Sequence, residues 1–226
     1  MADYVLVHGG DVSTETWNKF TKGKPIHTDN GRLGYLVWEP VASVLKAHGH
    51  RVFAPTLKSE YSCGLTGHIE QVCALIDDNN LENIILAGHS YGGIVVTGVA
   101  DRIPKKISRL VYLDSSLPDP GQSLFDVLLS NGKDPASVAG LEPVAPYTEK
   151  LQFDWRNLDM LPKTYIRCME SEFTAVTAAA IKKLSCRPNG CQVTELPTGH
   201  LPQATMPDEL AQILLKSSRP IIFGLI

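Results

Sequence analysis

The residues best suited to chemistry lie in the stretch Ile84-Ile85-Leu86-Ala87-Gly88-His89-Ser90-Tyr91-Gly92-Gly93-Ile94-Val95-Val96, an apolar run, a Gly-x-Ser-x-Gly turn and a second apolar run. A serine hydroxyl is a weak nucleophile, and a sharp strand-to-helix turn lifts it into an exposed, strained position that a base can reach. Ser90 is therefore the candidate nucleophile, and acyl transfer is the chemistry it would serve. The helix that follows directs the Tyr91 N–H at an oxygen that becomes negative in a tetrahedral intermediate. A second oxyanion donor is expected behind the first strand, at His8-Gly9-Gly10-Asp11, and Gly10 N–H is the candidate because glycine permits close backbone approach. His8 and His89 are read as braces of their loops rather than as bases.

A base must come within reach of that serine, and Thr198-Gly199-His200, behind the last predicted strand, offers His200. Two strand ends offer an acid to orient it. Asp114 closes the apolar run Leu110-Val111-Tyr112-Leu113, where an unpaired charge would be costly to bury, so a partner such as His200 would account for it. Glu170 and Glu172, in Met169-Glu170-Ser171-Glu172, stand at a helix start, where the dipole favours carboxylates without any catalysis. Asp114 is preferred, Glu170 is the alternative acid and Glu172 ranks third.

Short β-branched runs alternate with helix-length amphipathic stretches, the pattern of a mostly parallel central sheet flanked by helices. Strands are expected at residues 4–7, 51–54, 84–87, 110–113, 164–168 and 192–196, and helices at 38–48, 66–79, 94–102, 172–184 and 207–216. Two stretches break this rhythm: residues 21–35, and residues 118–162, read as a small cap inserted over a pocket. At 226 residues the chain suits a single α/β domain. Its composition, 43% hydrophobic and 20% charged with net charge −3, is that of a globular protein with no field to attract nucleic acid. No basic n-region precedes the first apolar run, and no run nears the roughly 18 apolar residues of a spanning helix, the run at 220–226 included. The five cysteines lack metal-type spacing, and the two-step acyl transfer implies neither metal nor organic cofactor; Cys186 and Cys191 flank a turn-like Arg-Pro-Asn-Gly. A cytoplasmic location with reduced thiols and no membrane partner is the expectation.

The segments Val5-Leu6-Val7-His8-Gly9-Gly10, Gly49-His50-Arg51-Val52-Phe53-Ala54-Pro55-Thr56-Leu57, Gly88-His89-Ser90-Tyr91-Gly92-Gly93 and Thr198-Gly199-His200 resemble the α/β-hydrolase superfamily. Within it they are most similar to the small esterases grouped with plant methylesterases and hydroxynitrile lyases. The resemblance implies the α/β-hydrolase fold, the chain order serine, acid, histidine, and cleavage of a small carboxylic ester. It also implies an acid after the penultimate strand, where this chain has Ser171; Asp114 matches the site one strand earlier, used by other members of the superfamily. The lyases of the group carry a Thr where Gly9 stands and a Lys where Leu201 stands, so a lyase-like enzyme is the lesser alternative. A ligand-binding protein that kept the fold without turnover is another. The short cap suggests a shallow pocket, with Phe125, Leu128, Leu129, Tyr147, Phe153 and Trp155 as possible lining.

Overall fold

A computed structural model of the chain describes residues 1–217 apart from 11, 22, 24, 139 and 140; Asp11 of the first loop and the apolar run at 220–226 lie outside the described residues. Six strands form one parallel sheet in the order β2-β1-β3-β4-β5-β6: β1 (Asp3–Val7), β2 (Arg51–Phe53), β3 (Ile84–His89), β4 (Ile107–Leu113), β5 (Lys163–Cys168) and β6 (Gln192–Leu196). Between them run α1 (Thr14–Phe20), α2 (Glu39–Ala47), α3 (Leu65–Asp78), α4 (Gly92–Arg102), α5 (Leu124–Ser130), α6 (Ala145–Thr148), α7 (Trp155–Asp159), α8 (Thr174–Ser185), α9 (Pro202–Thr205) and α10 (Pro207–Ser217).

The sheet is covered on both faces, which is why its strands read as continuous apolar runs. Side chains alternate across it: Val5, Leu86, Leu110 and Tyr112 join the core that includes residues of α3, α4 and α8, while Tyr4, Ile85, Val111 and Leu113 join the core that includes residues of α2 and α10. Helix α4 is buried from Gly92 to Ala100, so the helix behind the Gly-x-Ser-x-Gly turn is apolar all round and held rigidly against the sheet centre. β1 pairs with β2 on one side and β3 on the other, so connections leave it in opposite directions. Such a reversal opens a crevice outside the carboxyl ends of the strands, the place where ligands bind in open α/β sheets.

The expected strands are all present, β3 and β4 being longer than predicted. Helix α1 was not legible: it spans seven residues, buries only Trp17, and rests on its Ser13 cap, which accepts from the Thr16 N–H. The turn after β5 delays α8 to Thr174, beyond the predicted start at Glu172. Residues 118–162 carry α5, fixed by a reciprocal Ser123–Asp126 capping box, together with α6 and α7. No helix among the described residues is long and apolar enough to cross a membrane.

Candidate active site

Ser90 stands where β3 turns into α4, with φ of +53°, a left-handed value a serine rarely adopts. Its N–H donates to Leu113 O at 3.1 Å, and the Ser115 hydroxyl donates to its carbonyl at 2.7 Å, so the strained turn is held from both sides. The turn also needs Gly92, because a Cβ there would lie 2.5 Å from His8 O. Asp114, one residue beyond β4, has φ of +41°, and its N–H donates to Ile166 O at 2.8 Å. The two bends lie side by side because β3 and β4 are paired in register, His89 opposite Leu113.

His200 follows β6 and links the two. Its Nδ1–H donates to Asp114 Oδ2 at 2.7 Å, and its Nε2 accepts from the Ser90 hydroxyl at 2.9 Å. A carboxylate can only accept, so this geometry fixes the proton on Nδ1 and leaves the Nε2 lone pair facing the serine. The Asp114 side chain is wholly buried, and its Oδ1 accepts from the Cys168 N–H at 3.1 Å. Burial alone would raise the carboxyl; the bond and charge of His200, with the Ser171 hydroxyl and the Cys168 amide, hold it below the ordinary carboxylate range.

Asp114, rather than either glutamate, is thus the carboxylate brought to His200. Glu170 is exposed at the cavity wall and its N–H donates to Thr198 O at 3.0 Å, while Glu172 pairs with Lys133 at 2.8 Å. The β5 turn serves the pair differently: Ser171 faces the Asp114 carboxylate, and the Phe173 ring lies 4.6 Å from the imidazole of His200. No local pattern in the sequence marks these contacts.

Gly10 and Tyr91 both line the cavity around Ser90. His8 braces the first loop, its Nε2 accepting from the Leu57 N–H at 3.0 Å and its Nδ1–H donating to Gly9 O at 2.8 Å. The Tyr91 ring is fixed by a bond from its hydroxyl to His68 Nδ1 at 2.9 Å and by edge contact with Tyr147.

The cavity around the serine has a volume of about 1040 Å³. Residues 118–162 contribute the apolar lining Leu124, Leu128, Val138, Leu141 and Tyr147, and Phe20 and Arg32 also line the cavity. Of the expected lining, Leu128 and Tyr147 face the cavity; Phe125, Phe153 and Trp155 pack on the core instead, and Leu129 is exposed.

A serine raised on a strand-to-helix turn, at the carboxyl end of a parallel sheet and hydrogen-bonded to a late histidine, is the architecture of the α/β-hydrolase class. The chain belongs to the alpha/beta hydrolase family, whose sequence model matches residues 4–156. It is 30% identical over 260 aligned positions to a carbendazim hydrolyzing esterase of Nocardioides sp. (strain SG-4G), covering 95% of this chain and 98% of that protein. A shorter match, 33% identical over 111 residues, links it to methylesterase 8 of Arabidopsis thaliana and covers 42% of this chain and 39% of the relative. Among solved structures, a pyrethroid hydrolase superposes with a TM-score of 0.73 at 20% identity, covering 96% of this chain and 97% of the other. An extracellular α/β-hydrolase from a Paenibacillus species, described as sharing homology with a tobacco salicylic acid binding protein, gives 0.70 at 21% identity, covering 97% and 100%. At these identities the two structures speak to the fold.

Proposed function

We propose that the protein is a serine-dependent carboxylic ester hydrolase in which Ser90 is the nucleophile, His200 the general base and Asp114 the acid that orients it. The observation that carries this reading is the unbroken line of two hydrogen bonds, 2.9 Å from Ser90 Oγ to His200 Nε2 and 2.7 Å from His200 Nδ1 to Asp114 Oδ2. Relatives named as esterases and hydrolases, one of them matched over nearly its whole length, support ester cleavage as the reaction.

The reaction runs in two steps. His200 takes the Ser90 proton as Oγ attacks the ester carbonyl, and the oxygen that becomes negative rests on the N–H groups of Gly10 and Tyr91. The imidazolium, stabilised by Asp114, returns the proton to the departing alcohol and leaves an acyl-serine. A water, deprotonated by the same imidazole, then releases the acid and restores the serine. Residues 118–162 act as the cap that closes the apolar side of the cavity and sets which small-molecule esters enter. Five free thiols support a reducing, cytoplasmic location.

A lyase role is not favoured. A Cβ at Gly9 would come within 2.7 Å of Ser90 Cβ, so a threonine there could not enter without displacing the nucleophile, and Leu201 brings no charge to the cavity.

Hydrolysis of p-nitrophenyl acetate and butyrate by the wild type, Ser90→Ala and Glu170→Gln tests the reading. Ser90→Ala is expected to fall to background while Glu170→Gln stays near wild type. Unchanged turnover in Ser90→Ala refutes serine catalysis, and absence of turnover in the folded wild type favours a ligand-binding role.

A further inference from the structure

His89, the residue before the proposed nucleophile, is wholly buried, and its imidazole lies 4.7 Å from that of His200, ring centre to ring centre. One of its nitrogens, Nε2, is 2.7 Å from the backbone carbonyl oxygen of His200, to which only an N–H can be donated. The other, Nδ1, is buried with no hydrogen-bond partner, on the side facing Gly9.

These contacts leave His89 a single useful state. The carbonyl of His200 requires a proton on Nε2. A proton on Nδ1 would be a buried donor with no acceptor and would place a second cation against the imidazole that must itself become cationic. Burial first, and the neighbouring His200 second, push the His89 imidazole down to about 3. The titratable groups that act on it are His200, Asp114 and His8, from the loops after β6, β4 and β1.

We infer that His89 is a positioning residue for the general base: a buried N–H donor that anchors the main chain of His200, with a ring packed against the imidazole that limits its rotation. This rests on the reading of Ser90 and His200 as the hydrolytic pair. The Phe173 ring, 4.6 Å from the same imidazole, provides a second contact, so His200 packs against both the end of β3 and the turn after β5. The consequence is kinetic. Reaction requires the Nε2 lone pair to stay on the Ser90 proton, and misplacement of about 1 Å costs roughly 10²-fold. His89 lines the floor of the cavity beside Ser90 but hydrogen-bonds no reacting atom, so its removal is expected to act on turnover more than on substrate affinity.

The test compares His89→Phe, which keeps a flat ring and removes the donor, with His89→Gln, whose amide N–H can reach the same carbonyl. Both are assayed with p-nitrophenyl butyrate and by the rate at which a fluorophosphonate labels Ser90. His89→Phe is expected to lose about tenfold or more in kcat, with KM unchanged and labelling slowed in parallel, and His89→Gln to recover most of the loss. Wild-type kcat in a folded His89→Phe, a change confined to KM, or equal damage in a folded His89→Gln overturns the inference. Failure of the hydrolase reading would appear separately, as Ser90→Ala turnover equal to wild type. Thermal melting monitors folding, and if His89→Phe does not fold, a folded His89→Leu replaces it under the same criteria.

Discussion

Replacing Asp114 by asparagine changes almost no volume yet reverses the hydrogen-bond logic of the site. The Cys168 N–H, 3.1 Å from Oδ1, must find an acceptor, so the asparagine carbonyl turns toward it and the NH₂ group takes the place of Oδ2, 2.7 Å from His200 Nδ1. Two donors cannot face each other there. His200 therefore moves its proton to Nε2, which then points at Ser90 Oγ, 2.9 Å away, as a donor instead of an acceptor. Loss of a charge-assisted bond alone would cost about 1.5–3 kcal/mol, or roughly 10- to 150-fold. The wrong tautomer removes the base altogether, and in serine hydrolases with this constellation that costs about 10⁴-fold in kcat, near 5.5 kcal/mol. The tautomer effect is the larger, so it sets the expected magnitude. The assay is steady-state hydrolysis of p-nitrophenyl butyrate at neutral pH, with circular dichroism to confirm folding. A folded Asp114→Asn protein that keeps more than about one-hundredth of the wild-type kcat would refute the assignment of the acid.

Three further outcomes follow from the geometry. Gly92→Ala should abolish activity and lower the melting temperature, because the new Cβ would meet His8 O at 2.5 Å; an active, equally stable variant would show that the turn can yield. Since the His89 imidazole falls from its ordinary value of 6.5 to about 3 through burial and His200, the unfolded chain binds one more proton than the folded one between those values. Stability from this group is therefore complete above about 6.5 and declines as pH falls toward 3, with a limiting slope of about 1.4 kcal/mol per unit. Urea unfolding from pH 7 to 4 should show a shallower loss in His89→Phe than in the wild type; identical slopes would contradict a neutral His89. Finally, Leu128→Trp should fill part of the 1040 Å³ cavity and reduce kcat/KM for long-chain p-nitrophenyl esters more than for the acetate, and equal effects on both would place the acyl chain elsewhere.

What could be read before the structure was what is local. The run from Ile84 to Val96 contains its own strand, turn and helix, so Ser90 stands out as the candidate nucleophile from adjacent residues alone. Asp114 could be favoured over Glu170 on chemistry, because a carboxylate closing an apolar strand needs a partner whereas one at a helix start does not. The contacts that fix these groups were not legible, because they join residues far apart in the chain: Ser115 to Ser90, the Cys168 amide to Asp114, and His89 to the carbonyl of His200. The lining of the cavity was hidden for the same reason. It gathers Phe20 and Arg32 with Leu124 and Leu128 from distant parts of the chain, a relation that no periodicity encodes.

The position of the proposed acid has a physical logic beyond a choice between two strand ends. Ser90 leaves β3, Asp114 leaves the adjacent β4, and His200 arrives after β6, so the end of β5 lies between the carboxylate and the strand that delivers the imidazole. A carboxylate buried at the end of β4 must have its second oxygen satisfied from that gap. The turn after β5 does this with the Cys168 amide and the Ser171 hydroxyl, and it adds the Phe173 ring against the imidazole. A carboxylate at residue 171 would instead confront Asp114 across the same short distance, and two negative charges sharing one imidazole cannot both stay ionised there. Serine at this position is the small donor that a β4 acid requires. Ser171→Asp in the otherwise unchanged chain is accordingly expected to raise the acid limb of the kcat/KM profile, and a profile that stays in place would show that Ser171 is remote from the charge on Asp114.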